Sequence, residues 1–590
     1  MGDNSDPVSG TGMREECAVF GCIAGGPWPN PDVNVAEIIF NGLVGLQHRG
    51  QESSGIVTGS GDDKSCRHVR EQFVSGQKGL GENVFCKEPQ CEPDSTKIRA
   101  KKAMGMVNTA FKDEDMRYLK GNLGLGHNRY STAGRSDLIN CQPLLLYTKF
   151  GEIAIAHNGE VVNQKSLRNS IFRHGGTFTA DSDTEMIVRA LLLMPGIDEQ
   201  ESPMTPTPTA LNGHGPCEAN KCSSPTKSCS NKGDGRLSRS ISEDAGEPDW
   251  AKRIVALMGQ YPLAYSFCLM HKDSIYAVRD CFGNRPLVLG KVPGLYDPEK
   301  VDAWIVASET CCFKDVGCKA IGEVLPGEIV KITRNGIESV ARAPPKLHVS
   351  RKLTTAFCVF EYVYFARGDT FFEGQQVYSV RERCGRQLAK ESWVEADIVS
   401  NVPDSATAAA LGFSAESGIP YKEVLIKNPY VGRTFIQPSN RLRQLAVSKK
   451  FGALAENFAG KRIIIVDDSI VRGNTLQAIV KLLRDAGAKE VHVRAACPPV
   501  RNPCYMGINI PTRKELIANQ MTVEEMPAFF GADSVSYLSI EGLRTAVEQG
   551  IKENPRETNE GEWAQVNKKG HCVACLTGEY PVTVQEELDW

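Results

Sequence analysis

Two sets of residues in this chain have types and spacings that could do chemistry, and the first begins with a cysteine. Cys17, in Glu15-Glu16-Cys17-Ala18-Val19-Phe20-Gly21, stands before an apolar run and behind a short polar leader. A free α-amine, with a pKa of about 7.7 to 8.0, is a partly neutral base that could take the proton of the thiol on its own residue. Cleavage before Cys17 would join nucleophile and base in one residue, so residues 1–16 are expected to be a leader removed by processing. Three later strings supply partners: Gly126-His127-Asn128-Arg129-Tyr130, His157-Asn158-Gly159-Glu160 and Ser182-Asp183-Thr184-Glu185. Thiolate attack on a carboxamide makes an oxyanion, for which the Asn158 side-chain amide and the Gly159 backbone N–H are candidate donors. If that carboxamide belongs to an amino acid, Arg129 can grip its α-carboxylate through a fork of hydrogen bonds, and Asp183 can receive its α-ammonium. Taken singly, an Asn-Gly is a turn and an arginine is surface. Their order after Cys17 argues for a site.

The second set is Arg462-Ile-Ile-Ile-Val-Asp467-Asp468-Ser-Ile-Val471-Arg472-Gly473-Asn474-Thr475. It reads as a buried strand, a short loop and the start of a helix. In an open α/β sheet the crevice at the carboxyl ends of the strands takes ligands, and a helix N-terminus favours an anion. Val471, Arg472, Gly473, Asn474 and Thr475 are therefore a candidate phosphate loop. Asp467 and Asp468 could accept sugar hydroxyls or hold Mg²⁺ through hard oxygen ligands. Near the C-terminus, Cys572-Val-Ala-Cys575 has a spacing that suits zinc, a redox pair or an iron-sulfur cluster alike. No second C-x-x-C exists, so further ligands would come from isolated cysteines.

With Gly45-Leu-Gln-His48-Arg49-Gly-Gln-Glu52 added, the first set resembles the glutaminase domain of N-terminal nucleophile amidotransferases, and Arg49 joins its substrate-binding candidates. The second resembles the phosphoribosyl diphosphate motif of type I phosphoribosyltransferases. Together in one chain they are similar to the amidophosphoribosyltransferase family, over nearly everything from Cys17 to about Pro581. The resemblance implies that glutamine is hydrolysed at Cys17 and that its ammonia displaces pyrophosphate from phosphoribosyl pyrophosphate, giving 5-phosphoribosylamine for purine synthesis. It implies Mg²⁺ on Asp467, Asp468 and Ser405, and a mobile loop from Lys427 to Pro438 whose Arg433, with Arg441 and Lys449 beyond it, neutralises charge. It further implies a 4Fe-4S cluster on Cys311 of Ser308-Glu-Thr-Cys311, Cys504, Cys572 and Cys575, a homotetramer, and purine nucleotide feedback inhibitors. Two positions depart from the family's usual residues: Pro429 stands where Arg is more common, and Gly368 where Pro is.

Elements must hold these residues in place. The 590 residues suit two large domains, and a 41% hydrophobic content leaves ample core. Short strands mixed with helical patterns up to about residue 345 suggest an α+β glutaminase domain, 17–345, which by resemblance is the four-layer αββα N-terminal nucleophile fold. Residues 201–249 hold few large apolar side chains and are expected to be a disordered insert; 60–100 is weaker evidence of the same kind. After 355, runs at Ile398 to Val402, Val424 to Ile426, Arg462 to Val466 and Val491 to Ala495 alternate with helices, as in a doubly wound parallel sheet. This is the α/β type I phosphoribosyltransferase domain, 346–555, followed by a tail, 556–590, that carries the cluster cysteines. A net charge of −3 gives no global drive toward nucleic acid or an anionic membrane. No targeting signal or membrane span is legible, so a cytoplasmic location is expected.

Overall fold

The structure, a computed structural model, describes residues 17–30, 32–61, 98–130, 137–162, 164–180, 182–193, 247–261, 263–345, 354–428, 450–508, 510, 512–552, 554, 556–557, 563, 566 and 570–584. The expected leader, most of the expected insert and the loop that contains Arg433, Arg441 and Lys449 lie outside the described residues. Of the insert, Glu247 to Asp249 are described: Asp249 caps helix Trp250–Gln260 and Glu247 pairs with Lys272. The stretch read as weak from 60 to 100 ends in a strand, Arg99–Met104.

Two antiparallel sheets stack face to face in the first half. One runs Lys319–Glu323, Val288–Pro293, Val301–Ala307, Ala18–Ala24, Leu123–Arg129, Ser53–Gly59 and Arg99–Met104; the other runs Gly336–Arg342, Glu328–Thr333, Ser274–Arg279, Leu263–His271, Gly151–Val161 and Leu144–Thr148. Period-two alternation along Gly151–Val161 explains the layering. Ala154 and Ala156 join the core between the sheets, whereas Ile153 and Ile155 pack with Leu167, Ile187 and Trp250 under the outer helices Gln164–Arg173, Asp183–Leu193 and Trp250–Gln260. Helix Val35–Gly45 covers the other sheet, where Gly126 leaves room for Ile39 and Leu43. The result is the expected four-layer αββα arrangement. Its inner strands are buried on both faces, so Ala18–Ala24 reads as an unbroken apolar run.

The second half is built on a four-stranded parallel sheet, in the order Ile398–Asn401, Arg462–Asp467, Glu490–Ala495 and Ser534–Tyr537. Ile464 and Val466 face the layer of Val377–Glu391 and Thr407–Ser417, while Ile463 and Ile465 face helix Asn474–Asp485. One expected strand is placed differently. Leu425–Lys427 pairs antiparallel with Phe451–Ala453 as a separate two-stranded ribbon, with Leu425 inward and Ile426 exposed, so an apolar triplet long enough for a core strand serves as an edge. No helix among the described residues is long and apolar enough to cross a membrane.

Candidate functional site

Cys17 sits just before strand Ala18–Ala24, one residue outside its ladder, whose first pair on this side is Ala18 with Asn128. Its thiol donates to the Tyr130 carbonyl at 3.7 Å, and its own carbonyl accepts from Arg49 Nε at 3.1 Å. Burial pushes the thiol up to about 11, more than a Tyr130 backbone hydrogen bond and the Arg129 charge bring it down.

The neighbouring strand ends supply the rest of this pocket. Arg129, the last residue of its strand, pairs with Glu52 at 3.1 Å. Asn158 is 1% exposed, and among the described residues its amide Nδ2 has no partner, a buried donor with a hydrogen bond still to make. Gly159 adopts φ +130°, and a Cβ there would meet the Ala264 carbonyl oxygen at 2.1 Å, so only glycine fits. Asp183 opens its helix and accepts from the Val161 N–H at 3.3 Å; His157 Nδ1 lies 3.7 Å from its other oxygen. Burial raises the Asp183 pKa, but His157 and the N–H groups of Val161 and Thr184 outweigh it and leave the carboxyl below the usual carboxylate range. The charges of Arg129, Asp183 and Glu52 all act on the Cys17 thiol. Beside them, burial and the Asp183 charge lift Glu160 to about 8.

Arg49 departs from expectation. It is fully buried, and its guanidinium is engaged by Cys17 O, by Glu309 at 2.5 Å and by both oxygens of Glu361 at 2.8 and 2.9 Å. A side chain so enclosed holds the protein to itself; the substrate-binding role is replaced by one in support of Cys17.

In the other domain, strand Arg462–Asp467 delivers Asp467 and Asp468 to the carboxyl edge of the sheet. Asp468 N–H donates to Asp467 at 3.0 Å, and Ser469 Oγ donates to Asp468 at 2.7 Å. Burial lifts both carboxyls, Asp467 further through repulsion by Asp468. Ser405 also hydrogen-bonds Asp468, and with Arg381, Cys384 and Asp468 it lines a small enclosed cavity. Two crowded acids and a hydroxyl form a hard-oxygen set in which a divalent cation would keep both acids ionised, which fits Mg²⁺. Val471, Arg472, Gly473, Asn474 and Thr475 follow as the loop and first turn of helix Asn474–Asp485. The Arg472 guanidinium is turned to Glu515 at 2.6 Å, so the loop offers a phosphate its backbone rather than that charge. The Tyr364 hydroxyl is raised by burial and by the charges of Asp468 and Asp467, and Tyr130 also acts on it.

The cysteines require one correction. Cys504, Cys572 and Cys575 converge as expected, but their fourth neighbour is Cys358: strand Phe357–Cys358 pairs in parallel with His571–Cys572, placing Cys358 beside Cys572, and Cys575 feels Cys504, Cys358 and Cys572 together. Cys311 lies elsewhere, its thiol donating to Glu309 at 3.5 Å and to the Gly45 carbonyl at 3.8 Å. It belongs to a 3-10 turn, Thr310–Val316, packed on helix Val35–Gly45, and its string serves to place Glu309. Cys358 sits in an apolar run with no cysteine spacing around it, so no sequence signal marked it.

All four of the converging cysteines are buried and free of disulfides. Mononuclear zinc draws its sulfurs to about 3.8 Å apart, from Zn–S bonds of about 2.3 Å in a tetrahedron. Among the described residues the only trio of ligating atoms mutually within 4.8 Å is that of His48, Glu309 and Cys311. No three of the four cysteine thiols lie mutually within that distance. The His48 trio itself suits a cation poorly, because Glu309 already accepts from His48, Arg49, Thr370 and the Arg367 N–H.

These two sites, on an αββα sandwich and a parallel sheet, define a glutamine amidotransferase joined to a phosphoribosyltransferase. Residues 92–198 match the glutamine amidotransferase domain family, and 394–508 match the phosphoribosyl transferase domain family. The chain is 45% identical to the amidophosphoribosyltransferase of Rattus norvegicus, covering 98% of this chain and 99% of that one, and 37% identical to that of Archaeoglobus fulgidus, covering 95% and 97%. Among solved structures, the glutamine phosphoribosylpyrophosphate amidotransferase from B. subtilis complexed with ADP and GMP superimposes with a TM-score of 0.69 at 33% identity, over 97% of this chain and 98% of that one. The chain belongs to the amidophosphoribosyltransferase family. Its activity is the glutamine-dependent amination of phosphoribosyl pyrophosphate, the first step of purine biosynthesis.

Proposed function

We propose that Cys17, freed by removal of residues 1–16, is the nucleophile that opens glutamine. The supporting observation is the company of its thiol: the unpartnered Asn158 amide, the Gly159 N–H, Arg129 and an ionised Asp183. Buried and raised to about 11, the thiol stays protonated in the unprocessed chain; a free α-amine on the same residue supplies the base it lacks. Arg129 would leave Glu52 in part to meet the α-carboxylate, and Asp183 would meet the α-ammonium. The thiolate adds to the amide carbon, the oxyanion is held by Asn158 Nδ2 and Gly159 N–H, and ammonia leaves as a thioester forms and is then hydrolysed.

The ammonia then passes by Tyr364 to the phosphoribosyl site without meeting bulk water, where it would be protonated. There Asp467, Asp468 and Ser405 would hold Mg²⁺, and Val471 to Thr475 the 5-phosphate. The ion supplies charge neutralisation for departing pyrophosphate, and Arg433 is proposed to add to it. Domains 17–345 and 346–555 divide the two half-reactions. A 4Fe-4S cluster on Cys358, Cys504, Cys572 and Cys575 would staple domain to tail, as a structural rather than electron-carrying group. A homotetramer in the cytoplasm with purine nucleotide feedback follows from the family.

The test compares glutamine with ammonium as nitrogen source. Cys17→Ser should abolish phosphoribosylamine formation from glutamine and spare it from ammonium; equal loss of both would refute the division of labour. Mass spectrometry should find Cys17 as the first residue of the active protein, and an active preparation in which every molecule keeps Met1 or Met13 would refute the processing step.

A further inference from the structure

Cys17 precedes its strand's ladder, and once it becomes the first residue nothing on its amino side restrains it. Chain ends of this kind fray unless they are tied down. Besides the thiol's own bond to the Tyr130 carbonyl, the tie on its backbone among the described residues is the bond from Arg49 Nε to the Cys17 carbonyl at 3.1 Å, which fixes the rotation that sets where the α-amine points. Arg49 can hold that direction only if its planar guanidinium is itself held. Glu361 does so with both oxygens, Oε1 on Nη2 at 2.8 Å and Oε2 on Nη1 at 2.9 Å, while Glu309 adds a third bond at 2.5 Å. A forked pair of this kind orients a guanidinium as well as neutralising it.

Glu361 is 312 residues from Arg49 and opens a short π-helical turn, Glu361–Phe365, on the phosphoribosyltransferase side of the molecule. Its Oε1 is also held by Arg285 at 3.2 Å, and Arg49, Arg285 and Glu361 are all fully buried. Turns of this type are rare and cluster at functional sites. The fully buried carboxylate bonds Arg49 and Arg285, and it is Arg49 that reaches Cys17, so it acts through another residue. We propose that Glu361 is a positioning residue for the glutaminase reaction: a group of the second domain that, through Arg49, aims the amino-terminal nucleophile of the first.

This rests on the reading of Cys17 as nucleophile, and the experiment separates the two. The processed full-length enzyme is labelled with a glutamine-shaped chloroketone, and the site and saturation kinetics of labelling are followed by mass spectrometry beside steady-state assays with glutamine and with ammonium. Wild-type label on a residue other than Cys17 would sink the reading of the nucleophile itself. If label falls on Cys17, Glu361→Gln, which replaces half the fork with an amide N–H₂ facing Arg49, should slow maximal labelling and glutaminase kcat about 10- to 100-fold. Half-saturation and KM for glutamine should move less than about threefold, and ammonium-dependent synthesis less than twofold. Glu361→Asp, which keeps the charge but shortens the reach, should recover part of the rate. Arg49→Lys should reproduce the loss, because it keeps a cation between the two glutamates but removes both the Nε–H and the planar fork that orients it; it also stands in if Glu361→Gln does not fold. Labelling of both variants at the wild-type rate would overturn the proposal. So would an equal fall in the glutamine and ammonium reactions, or a change confined to KM.

Discussion

Replacing Asn158 by Ala removes a donor that has no partner among the described residues, so catalysis and stability should separate. A buried polar group left without a hydrogen bond costs about 1–3 kcal/mol. Asn158 Nδ2 already carries that cost at 1% residue exposure, and removing it offsets the packing lost with the side chain. Stability should change by no more than about 1 kcal/mol, a shift of a few degrees in Tm. Loss of one oxyanion donor, by contrast, typically lowers kcat by about 10²–10³, or roughly 2.7–4 kcal/mol of barrier. Gly159 N–H remains as the second donor, so activity should fall within this range and not vanish. Glutamine-dependent phosphoribosylamine formation should drop accordingly with KM for glutamine near the wild-type value, while the ammonium reaction is untouched. Asn158→Asp should be worse, since a carboxylate repels the oxyanion. A rise in KM at constant kcat would make Asn158 a substrate-binding residue instead. A Tm lower by ten degrees or more would make it structural; either result refutes the reasoning.

Three other expectations follow from particular contacts. Cys358→Ala should lose iron as completely as Cys572→Ala in anaerobically purified protein, whereas Cys311→Ala should retain it; iron analysis decides, and colourless wild-type protein with stoichiometric zinc would refute the cluster. Gly507 has φ +92°, and a Cβ there would meet Gly159 Cα at 2.8 Å, so Gly507→Ala should push on the oxyanion glycine and cut glutaminase at least tenfold with ammonium-dependent synthesis preserved. Glu160 is lifted to about 8 by burial and by Asp183. A raised folded-state pKa gives a contribution that is complete below the unfolded value of about 4.3 and lost as pH rises through about 8. Relative to Glu160→Gln, wild-type Tm should therefore fall across that window, by ~1–5 kcal/mol in stability, and parallel Tm curves for the two proteins would contradict the burial argument.

The family and the fold class were legible in the residues themselves, and so were the local strings from which the two sites are proposed. A proposed oxyanion donor followed by an obligatory glycine, and paired aspartates at the end of a buried strand leading into a proposed phosphate loop, are local devices whose chemistry needs neighbours in sequence, so strings such as His157-Asn158-Gly159 and Asp467-Asp468 make them visible. The strand and helix periods follow likewise from which face each residue buries. Side chains brought together from distant segments leave no such trace. Cys358 meets Cys572 only because a two-residue strand pairs with the tail, and Cys311 misses them because its turn is committed to helix Val35–Gly45. Arg49 looked like a residue for substrate because its motif is local; Glu309 and Glu361, which enclose it, lie 260 and 312 residues away. Spacing records what one segment can do alone, whereas burial against another segment decides whether a charge faces a ligand or a carboxylate of its own chain.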